Sequence, residues 1–260
     1  MSTQEEIHLK WDYTKHAKYY SYRPNYAPTT ISMLVNAVRE NSKSDKVKVA
    51  DIGAGTANLS IMLLERGCEV VSVEPNDAMR SIGIERTQNN KDILWVKGVG
   101  ENTTLNNQEF NWVTFGSSFC GTKRDEALCE AHRILKPHGY FSCMWNHRDL
   151  DDPIQKISED IILDFVPQYS RGVRREDQRP ILHAHKNLFD NIIYIEEDFY
   201  FHQTLENFIN AWRSVKNMYW NLDTQEGKDL LEKIILKWRE ALPSEFDIKY
   251  TTRCWSARKI

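Results

Sequence analysis

The most informative segment of the sequence is Val47-Lys-Val-Ala-Asp51-Ile-Gly53-Ala-Gly55-Thr-Ala-Asn58. Its β-branched start, ending in Asp51, predicts a buried strand, and its two glycines predict a tight turn before a helix. Glycine has no Cβ, so the backbone can turn sharply there and a ligand can approach the N–H groups of the turn. The stretch therefore predicts a strand whose carboxyl end meets a ligand.

A second buried strand, Val70-Val-Ser-Val-Glu74, ends in an acid shortly after this turn. A carboxylate in that place can accept both hydroxyls of a ribose. The alternative is an ordinary strand, turn and helix with a surface acid, because a glycine turn alone is a weak signal. A dinucleotide site would need a third glycine where Asn58 stands, so a pyrophosphate ligand is disfavoured. Together the two segments predict a nucleoside site.

The combination D-I-G-A-G-T at 51–56 and V-E-P-N-D-A-M at 73–79 resembles the signature of class I S-adenosylmethionine-dependent methyltransferases. The resemblance implies S-adenosylmethionine as the cofactor. It also implies that the glycine turn holds the methionyl part, that Glu74 binds the ribose and that Met79 packs near the adenine.

Further motifs extend this resemblance from about residue 16 to 257. The stretch Arg133-Ile-Leu-Lys-Pro-His-Gly139 is similar to the family's R-x-L-K-P-G-G, with His138 in place of the first glycine. The small-molecule branch called type 11 is resembled by Arg23-Pro-Asn-Tyr-Ala-Pro28 and by Trp212-Arg-Ser214. These motifs are specific for the cofactor and poorly specific for the substrate.

Strands and helices alternate along the first 150 residues, which predicts a doubly wound α/β fold. Strands are expected at 47–52, 69–74, 93–96, 112–115, 140–145, 192–201 and 249–257. Helices are expected at 29–39, 57–66, 123–135, 153–166, 205–219 and 225–241, with a short one from Asp77. The last two strands resemble the antiparallel sixth and seventh strands of the methyltransferase sheet. The fold class is therefore a seven-stranded, mostly parallel, Rossmann-like sheet with a helical cap.

One elaborated domain accounts for this pattern. Residues 1–45 are expected to form an N-terminal lid and helix, and residues 46–150 an S-adenosylmethionine-binding core. Residues 151–260 are expected to add the helical cap and the last two strands to the same domain.

Composition excludes several partners. A formal net charge of −3 disfavours nucleic acid as the main partner. The acidic, polar start of the chain does not resemble a secretory signal, and no apolar run nears the roughly 18 residues of a membrane span. We therefore expect a cytoplasmic monomer or homodimer that acts on a small molecule. No metal is expected: His183 and His185 lack a nearby acid or cysteine cluster, and packing explains Cys129 and His132.

The chemistry that the resemblance implies requires little of the protein. Methyl transfer from a sulfonium is an in-line displacement in which charge is lost, so an aligned, dry pocket does much of the work. An oxygen or weakly acidic nitrogen acceptor can still require a base. His147 follows the fifth predicted strand and is the first candidate, with Asn146 next. The alternative for His147 is a local hydrogen bond.

The cofactor contacts are expected at the turns that follow the strands. Where the branch usually has G-D-A-E after its third strand, Val99 replaces the aspartate, so Glu101, Asn102 or backbone groups are expected to reach the adenine. Arg23 either pairs with the cofactor carboxylate or is a surface arginine beside a turn. The predicted cofactor-binding set is Asp51, Gly53, Ala54, Gly55, Glu74, Pro75, Met79, Gly100, Glu101, Asn102, Ser117 and Arg23.

The predicted substrate-binding set is Tyr20, Ser118, Phe119, Trp145, Trp212 and Tyr219. Trp212, Tyr219 and Trp220 lie at i, i+7 and i+8, which would place them on one helix face, either as core or against a flat acceptor. An arginine-rich stretch is read as a solvated loop rather than an anion site; its members are Arg171, Arg174, Arg175 and Arg179.

The sequence thus favours a methyltransferase that acts on a nitrogen or oxygen of a small, aromatic or heteroaromatic metabolite of secondary metabolism. Two alternatives stay open. One is a nicotinamide-dependent oxidoreductase on a similar sheet, and the other is a non-catalytic module that binds S-adenosylmethionine.

Overall fold

The computed structural model describes residues 12–170 and 176–260, which contain one seven-stranded sheet. The strands are β1 (Lys48–Ile52), β2 (Glu69–Val73), β3 (Ile93–Val96), β4 (Phe110–Gly116), β5 (Leu135–Arg148), β6 (Phe189–Thr204) and β7 (Glu245–Lys259). Their order across the sheet is β3-β2-β1-β4-β5-β7-β6. Strands β1 to β5 pair in parallel, and β7 pairs antiparallel with both β5 and β6. The predicted mostly parallel, seven-stranded sheet is confirmed.

The α-helices of the described residues alternate with these strands. They are α1 (Ala17–Tyr20), α2 (Pro28–Ser42), α3 (Asn58–Leu64), α4 (Asp77–Thr87), α5 (Arg124–Ile134), α6 (Pro153–Phe165), α7 (Arg179–Ala184), α8 (Leu205–Arg213) and α9 (Gln225–Ala241). Four of them begin where a polar side chain accepts a hydrogen bond from a backbone N–H of the first turn; these caps are Asn76, Asp152, Thr204 and Thr224.

Both faces of the sheet are buried, as the near-continuous apolar strands require. One face packs Phe115 and Phe141 against Leu128 of α5. The opposite face packs Val49 and Trp112 against α2 and α3. The carboxyl ends of β1, β2 and β4 therefore meet at one rigid edge, which is where the candidate site lies.

The predicted helix over 205–219 is wrong in its second half. Helix α8 ends at Arg213, and the side chain of Asn217 accepts hydrogen bonds from the backbone N–H groups of Tyr219 (2.7 Å) and Trp220 (3.1 Å). A side chain that bonds to nearby backbone donors favours a turn over a helix. Tyr219 and Trp220 therefore do not share a helix face with Trp212, although the rings of Trp212 and Trp220 still meet, with centroids 6.0 Å apart.

The helical cap rests on a ribbon formed by the two last strands. Strand β5 ends opposite Tyr250, whereas β6 and β7 stay paired beyond it, to Thr204 and Glu245. Helices α6, α8 and α9 bury their apolar faces against this extension in one cluster with Phe246 and Ile248. The cap thus stands beside the carboxyl ends of β4 and β5.

A buried hydroxyl and carboxyl network joins helix α3 to the centre of the sheet. Asp51, at the end of β1, accepts hydrogen bonds from the hydroxyls of Ser60 (2.6 Å) and Thr114 (3.0 Å), and Ser60 also bonds to Ser72 (2.9 Å). Burial raises the pKa of the Asp51 carboxyl to about 6, against the lowering effect of its hydroxyl partners. The network orders the start of the glycine turn.

The raised pKa of Asp51 predicts a pH dependence of stability. From about pH 4 to pH 6 the folded state keeps a proton that the unfolded state has lost, so the free energy of unfolding falls as pH rises. Asp51→Asn abolishes this contribution, so the variant gains about 3 kcal/mol relative to wild type between pH 4 and pH 7. Urea titrations at several pH values measure the difference. Asp190→Asn, at a carboxyl whose pKa is lowered by Arg258, serves as the control, because its pH dependence lies below about pH 4. Parallel profiles for wild type and Asp51→Asn would contradict the prediction.

The cap cluster predicts one cooperative unit. The Phe208 ring contacts those of Trp212, Trp238 and Phe246, so Phe208→Ala leaves a cavity and lowers the free energy of unfolding by about 3 to 4 kcal/mol. Because the cap shares the β6–β7 ribbon with the sheet, we expect a single unfolding transition by both tryptophan fluorescence and circular dichroism. Tyr200→Ala, at a side chain that is 69% exposed, is the control. Two separated transitions would show that the cap is a domain of its own.

Candidate functional site

The glycine turn after β1 has a backbone that other residues would strain. Gly53 and Gly55 have φ angles of +67° and +59°, in the left-handed region. A Cβ at Gly53 would lie 2.5 Å from the Cβ of Ser118. The N–H groups of Gly53 and Ala54 both donate to the carbonyl oxygen of Val73, at 2.8 and 3.1 Å. The turn is therefore fastened to β2 with its open side toward the edge of the sheet.

Glu74 is held in one orientation beside this turn. Its carboxylate accepts hydrogen bonds from the N–H of Gly55 (2.8 Å) and from the N–H of Asn76 (2.9 Å). The residue is 6% exposed, and burial raises the pKa of its carboxyl, opposed by those two backbone donors. Each carboxylate oxygen can accept more than one hydrogen bond, so capacity remains for the two hydroxyls of a sugar.

A groove of about 920 Å³ runs past the turn and Glu74, along the carboxyl ends of β3 and β4. Such a volume suits a ligand of cofactor size. Much of the predicted set lines it: Gly53, Gly55, Glu74, Pro75, Met79, Gly100, Glu101, Ser117, Tyr20 and Ser118. The two strand ends singled out in the sequence thus contribute to one groove.

The loop after β3 contains Val99, Glu101 and Asn102, the residues at issue for contact with the adenine. Val99 and Glu101 both line the groove, and one Glu101 carboxylate oxygen accepts a hydrogen bond from the N–H of Lys123 (2.6 Å), where α5 begins. Asn102 is exposed and lies outside the groove lining; its backbone pairs with that of Val99 through two hydrogen bonds of 3.1 Å. Glu101 and backbone groups are therefore better placed for an adenine than Asn102.

A second cavity of about 160 Å³ lies between the groove and the cap. The two share Tyr13, Tyr20, Gly53, Gly116, Ser117 and Cys120 as walls. The second cavity also contains Arg23, Asp51, Ala54, Trp145, Asn146 and Trp212 from the predicted sets. Its far wall comes from the cap and the last strand, through Phe208, Val215 and Tyr250.

Besides Asn102, three predicted residues lie outside both linings. Phe119 is fully buried among Phe115 and Phe141, so its assignment to the substrate site is corrected to core packing. Tyr219 lies in the turn after α8, where its hydroxyl accepts a hydrogen bond from the N–H of Ser170 (3.0 Å). His147 is buried on β5 opposite Thr251, away from the cavity in which we expected a base.

Asn146 has a positioning role rather than a free amide. Its Nδ2 donates to the carbonyl oxygens of Asn25 (2.8 Å) and Pro24 (3.2 Å), and its Oδ1 accepts from the Thr252 hydroxyl (2.6 Å). These bonds fix the N-terminal segment across the end of β5. The residue borders the second cavity while holding its wall in place.

Arg23 joins the two motifs that the sequence showed far apart. Its Nε donates to the Ser214 hydroxyl (2.7 Å) and one terminal nitrogen donates to the Ser214 carbonyl oxygen (2.8 Å). The guanidinium also lies 4.1 Å from the centroid of the Tyr20 ring. The R-P-N-Y and W-R-S elements therefore meet at the cavity, and Arg23 ties the N-terminal segment to the cap.

Tyr26 and Arg148 are cavity residues that the sequence analysis missed. The Tyr26 hydroxyl lies 2.9 Å from the Oγ of Ser117, and burial raises its pKa well above the ordinary value. At neutral pH this phenol therefore stays protonated and can donate a hydrogen bond. Tyr26 could have been found from its position in the R-P-N-Y element. Arg148 could have been found from its position two residues after Asn146 on the same strand.

Other candidate features carry no chemistry in the described residues. Among residues 12–170 and 176–260, no three side chains of His, Cys, Asp or Glu are grouped to hold a metal ion. None of the helices described there is long and apolar enough to cross a bilayer. Arg171, Arg174 and Arg175 lie outside the described residues, and Arg179 is exposed and paired with Asp177.

Comparison with known proteins agrees with this geometry. Residues 50–143 match the family model Methyltransf_11, described as a methyltransferase domain. An uncharacterised methyltransferase of Mycobacterium bovis is 30% identical over 127 residues, which are 49% of this chain and 48% of the relative. The chain thus spans about half the length of the curated relatives it matches.

Two solved structures share the fold. A putative type II methyltransferase from Anaeromyxobacter dehalogenans has a TM-score of 0.55 at 16% identity, over 91% of this chain and 97% of that one. Phosphoethanolamine N-methyltransferase 2 of Haemonchus contortus, in complex with phosphomonomethylethanolamine and S-adenosylhomocysteine, has a TM-score of 0.55 at 14% identity, over 100% of this chain and 60% of that one.

The matched residues include the end of β1, the glycine turn, Glu74 and β2 to β4, which supply most of the groove lining. Residues 50–143 therefore match the methyltransferase domain of the type 11 branch of class I, S-adenosylmethionine-dependent methyltransferases.

Proposed function

We propose that this protein transfers a methyl group from S-adenosylmethionine to a nitrogen or oxygen of a small, aromatic or heteroaromatic metabolite. The observation that carries the proposal is the connection of two spaces. The groove beside Glu74 suits a nucleoside, and it shares six lining residues with an aromatic cavity under the cap.

The lining suggests how the cofactor would lie. Glu74 would accept the ribose hydroxyls, with Met79 and Gly100 beside the base. The amino acid part would then extend over Gly53 and Ala54 toward the second cavity. Because Gly116 and Ser117 belong to both spaces, the sulfonium would sit at their junction with its methyl group toward the acceptor.

The protein's contribution would be alignment and the exclusion of water. The cap and the N-terminal segment, joined through Arg23 and Ser214, would enclose both reactants. A desolvated cavity favours a displacement in which charge is lost. The neutral Tyr26 hydroxyl, bonded to Ser117, would orient an acceptor heteroatom by hydrogen bonding rather than remove its proton.

The acceptor cavity favours a single aromatic ring. A cavity of about 150 Å³ lined by apolar side chains holds benzene, and the second cavity has about 160 Å³. Its aromatic walls include Trp145, Trp212 and Tyr250. Action in secondary metabolism, a cytoplasmic location and a monomeric or homodimeric state belong to the same proposal.

The sheet argues against the oxidoreductase alternative. Dinucleotide-binding sheets have the strand order 3-2-1-4-5-6, whereas here β7 lies between β5 and β6 and runs against both. A non-catalytic binding module differs from an enzyme in one measurable respect, which is turnover of the bound cofactor.

Turnover can be measured without knowledge of the acceptor. Incubation of the protein with methyl-deuterated S-adenosylmethionine and a metabolite extract should give S-adenosylhomocysteine together with a deuterated product, both detected by mass spectrometry. Protein that has been heat-denatured is the control. Binding of the cofactor without any labelled product in extracts of varied origin would favour the non-catalytic module instead.

We predict that Glu74→Ala weakens binding of S-adenosylhomocysteine more than tenfold, because a charge-assisted contact with the ribose is lost. Isothermal titration calorimetry measures the affinity. Glu74 also bonds to Gly55 and Asn76, so thermal unfolding is measured on the same samples to separate binding from folding. Asp92→Asn removes an acid just before β3 that pairs with Lys46, and neither residue lines the groove, so this variant should bind as wild type does. Equal affinities for wild type and the folded Glu74→Ala variant would refute the ribose assignment.

A further inference from the structure

The N-terminal segment, residues 12–23, borders the groove in which the cofactor is expected. Three of its residues line the groove: Asp12, Tyr13 and Tyr20. The ring of Tyr20 lies close to the glycine turn, since a Cβ at Gly55 would be 3.7 Å from it. The N–H of Gly55 is one of the donors that orient Glu74. The segment therefore lies beside the part of the groove in which we expect the ribose.

One side chain, that of Asn76, fastens this segment to the start of α4. Its Nδ2 donates hydrogen bonds to Oδ1 of Asp12 (3.0 Å) and to Oγ1 of Thr14 (2.9 Å). The same oxygen of Asp12 accepts hydrogen bonds from the hydroxyl and the N–H of Thr14, which hold the pKa of the Asp12 carboxyl below its ordinary value. The bond from Asn76 is therefore charge-assisted at neutral pH. We call these three side chains the closing contact.

Asn76 has two further contacts, and both belong to the cofactor groove. Its backbone N–H donates to Oε1 of Glu74 (2.9 Å), and its Oδ1 caps α4 by accepting from the N–H of Met79 (3.0 Å). Glu74 and Met79 are the residues that we expect beside the ribose and the adenine. Capping uses only the amide oxygen, so the amide nitrogen is left to bind the segment. A single residue thus connects the nucleoside end of the groove with the N-terminal segment.

The other end of the segment is attached to the cap by buried groups. Nδ1 of His16, a residue that is 8% exposed, lies 2.9 Å from the carbonyl oxygen of Arg213. Arg23 donates to the hydroxyl and to the carbonyl oxygen of Ser214, which is fully buried. Arg23 also lines the second cavity. This end of the segment therefore encloses the acceptor side of the site.

The groove end of the segment is attached by exposed groups. Asp12 and Thr14 are exposed, and the carbonyl oxygen of Asp12 accepts one further hydrogen bond, from Nζ of Lys216 at 3.0 Å. Native proteins open locally first where their hydrogen bonds are exposed to water and few apolar contacts are buried. We therefore expect the segment to open at the closing contact while His16 and Arg23 stay attached to the cap.

We propose that Asn76 is a positioning residue that closes the N-terminal segment over the bound nucleoside. S-adenosylmethionine then enters, and S-adenosylhomocysteine leaves, through the opening that forms when the closing contact breaks. The inference rests on the proposed function. Because Asn76 also donates to Glu74, a ribose that fixes the carboxylate would favour the closed position of the segment. The cofactor could be exchanged at this end without separation of the segment from the cap.

The rates of cofactor exchange test the proposal. Association and dissociation of S-adenosylhomocysteine are measured by surface plasmon resonance on the full-length protein. Asn76→Asp keeps an oxygen that caps α4 but replaces the donor with a carboxylate that faces Asp12. We expect association and dissociation each to become about fivefold or more faster, because hydrogen bonds to the segment are lost and an open segment lets the ligand both in and out. The affinity should change less than either rate.

An exchange of the two side chains is the decisive variant. In the double variant Asp12→Asn with Asn76→Asp, the amide and the carboxylate have changed places, so a hydrogen bond between positions 12 and 76 can form again. We expect both rates to return to within about twofold of the wild type, which is the non-additivity of residues in contact. A weakened cap of α4 or a disturbed ribose site would not be repaired by a change at residue 12.

Asn90→Asp is the matched control for the added charge. Asn90 is exposed, lies between α4 and β3 outside the groove lining, and accepts a hydrogen bond from the N–H of Asp92, as an aspartate also can. Both rates should equal those of the wild type. Thermal unfolding of every variant ensures that unfolded protein is not counted as faster exchange.

Each outcome decides between the proposals. If the wild type binds S-adenosylhomocysteine but Asn76→Asp leaves both rates unchanged, the inference is overturned and the proposed function stands. The same holds if only dissociation becomes faster, or if the double variant exchanges the ligand as fast as Asn76→Asp alone. If the wild type does not bind S-adenosylhomocysteine, the proposed function fails and takes the inference with it.

Discussion

The hydrogen bond between the N–H of Gly55 and the carboxylate of Glu74 is the contact on which the rest of the site depends. It joins the turn after β1 to the end of β2, so the part of the edge that would hold an amino acid and the part that would hold a sugar keep a fixed separation. The positive φ of Gly55 aims its N–H, and burial of Glu74 restricts the carboxylate. Pairing of β1 with β2 along five residues makes this arrangement rigid.

Around this rigid edge, the acceptor cavity is assembled from parts distant in sequence. Asn146 fastens residues 24 and 25 to the sheet, and Arg23 fastens the same segment to Ser214 of the cap. The cap in turn rests on the β6–β7 ribbon. The cofactor groove is therefore formed mainly by adjacent strands. The second cavity instead requires the N-terminal segment, the end of β5 and the cap to pack together. This division fits a family whose sequence motifs specify the cofactor well and the substrate poorly.

The parts of the fold with strong local signals were predictable, and the failures have physical causes. Helix α9 matches its predicted bounds because Thr224 caps it and an apolar stripe runs its full length. The end of α8 was missed because the competing bond from Asn217 to Tyr219 is invisible to periodicity. At the end of β5, Trp145, Asn146 and Arg148 line the cavity whereas His147 does not, and composition cannot decide which residues of a strand end reach a cavity. Phe119 follows β4 as predicted, but its ring packs in the core against Phe115 and Phe141.

The attachment of the N-terminal segment to the cap affects access to both the groove and the second cavity. Besides the bond from Arg23 to the carbonyl oxygen of Ser214, the ring of His16 bonds to the carbonyl oxygen of Arg213 at 2.9 Å, so the segment is attached at two points to the end of α8 and the residue after it. Tyr13 and Tyr20, on the same segment, form a wall common to both spaces. A separation of residues 13–23 from the cap would therefore open the groove and the second cavity together.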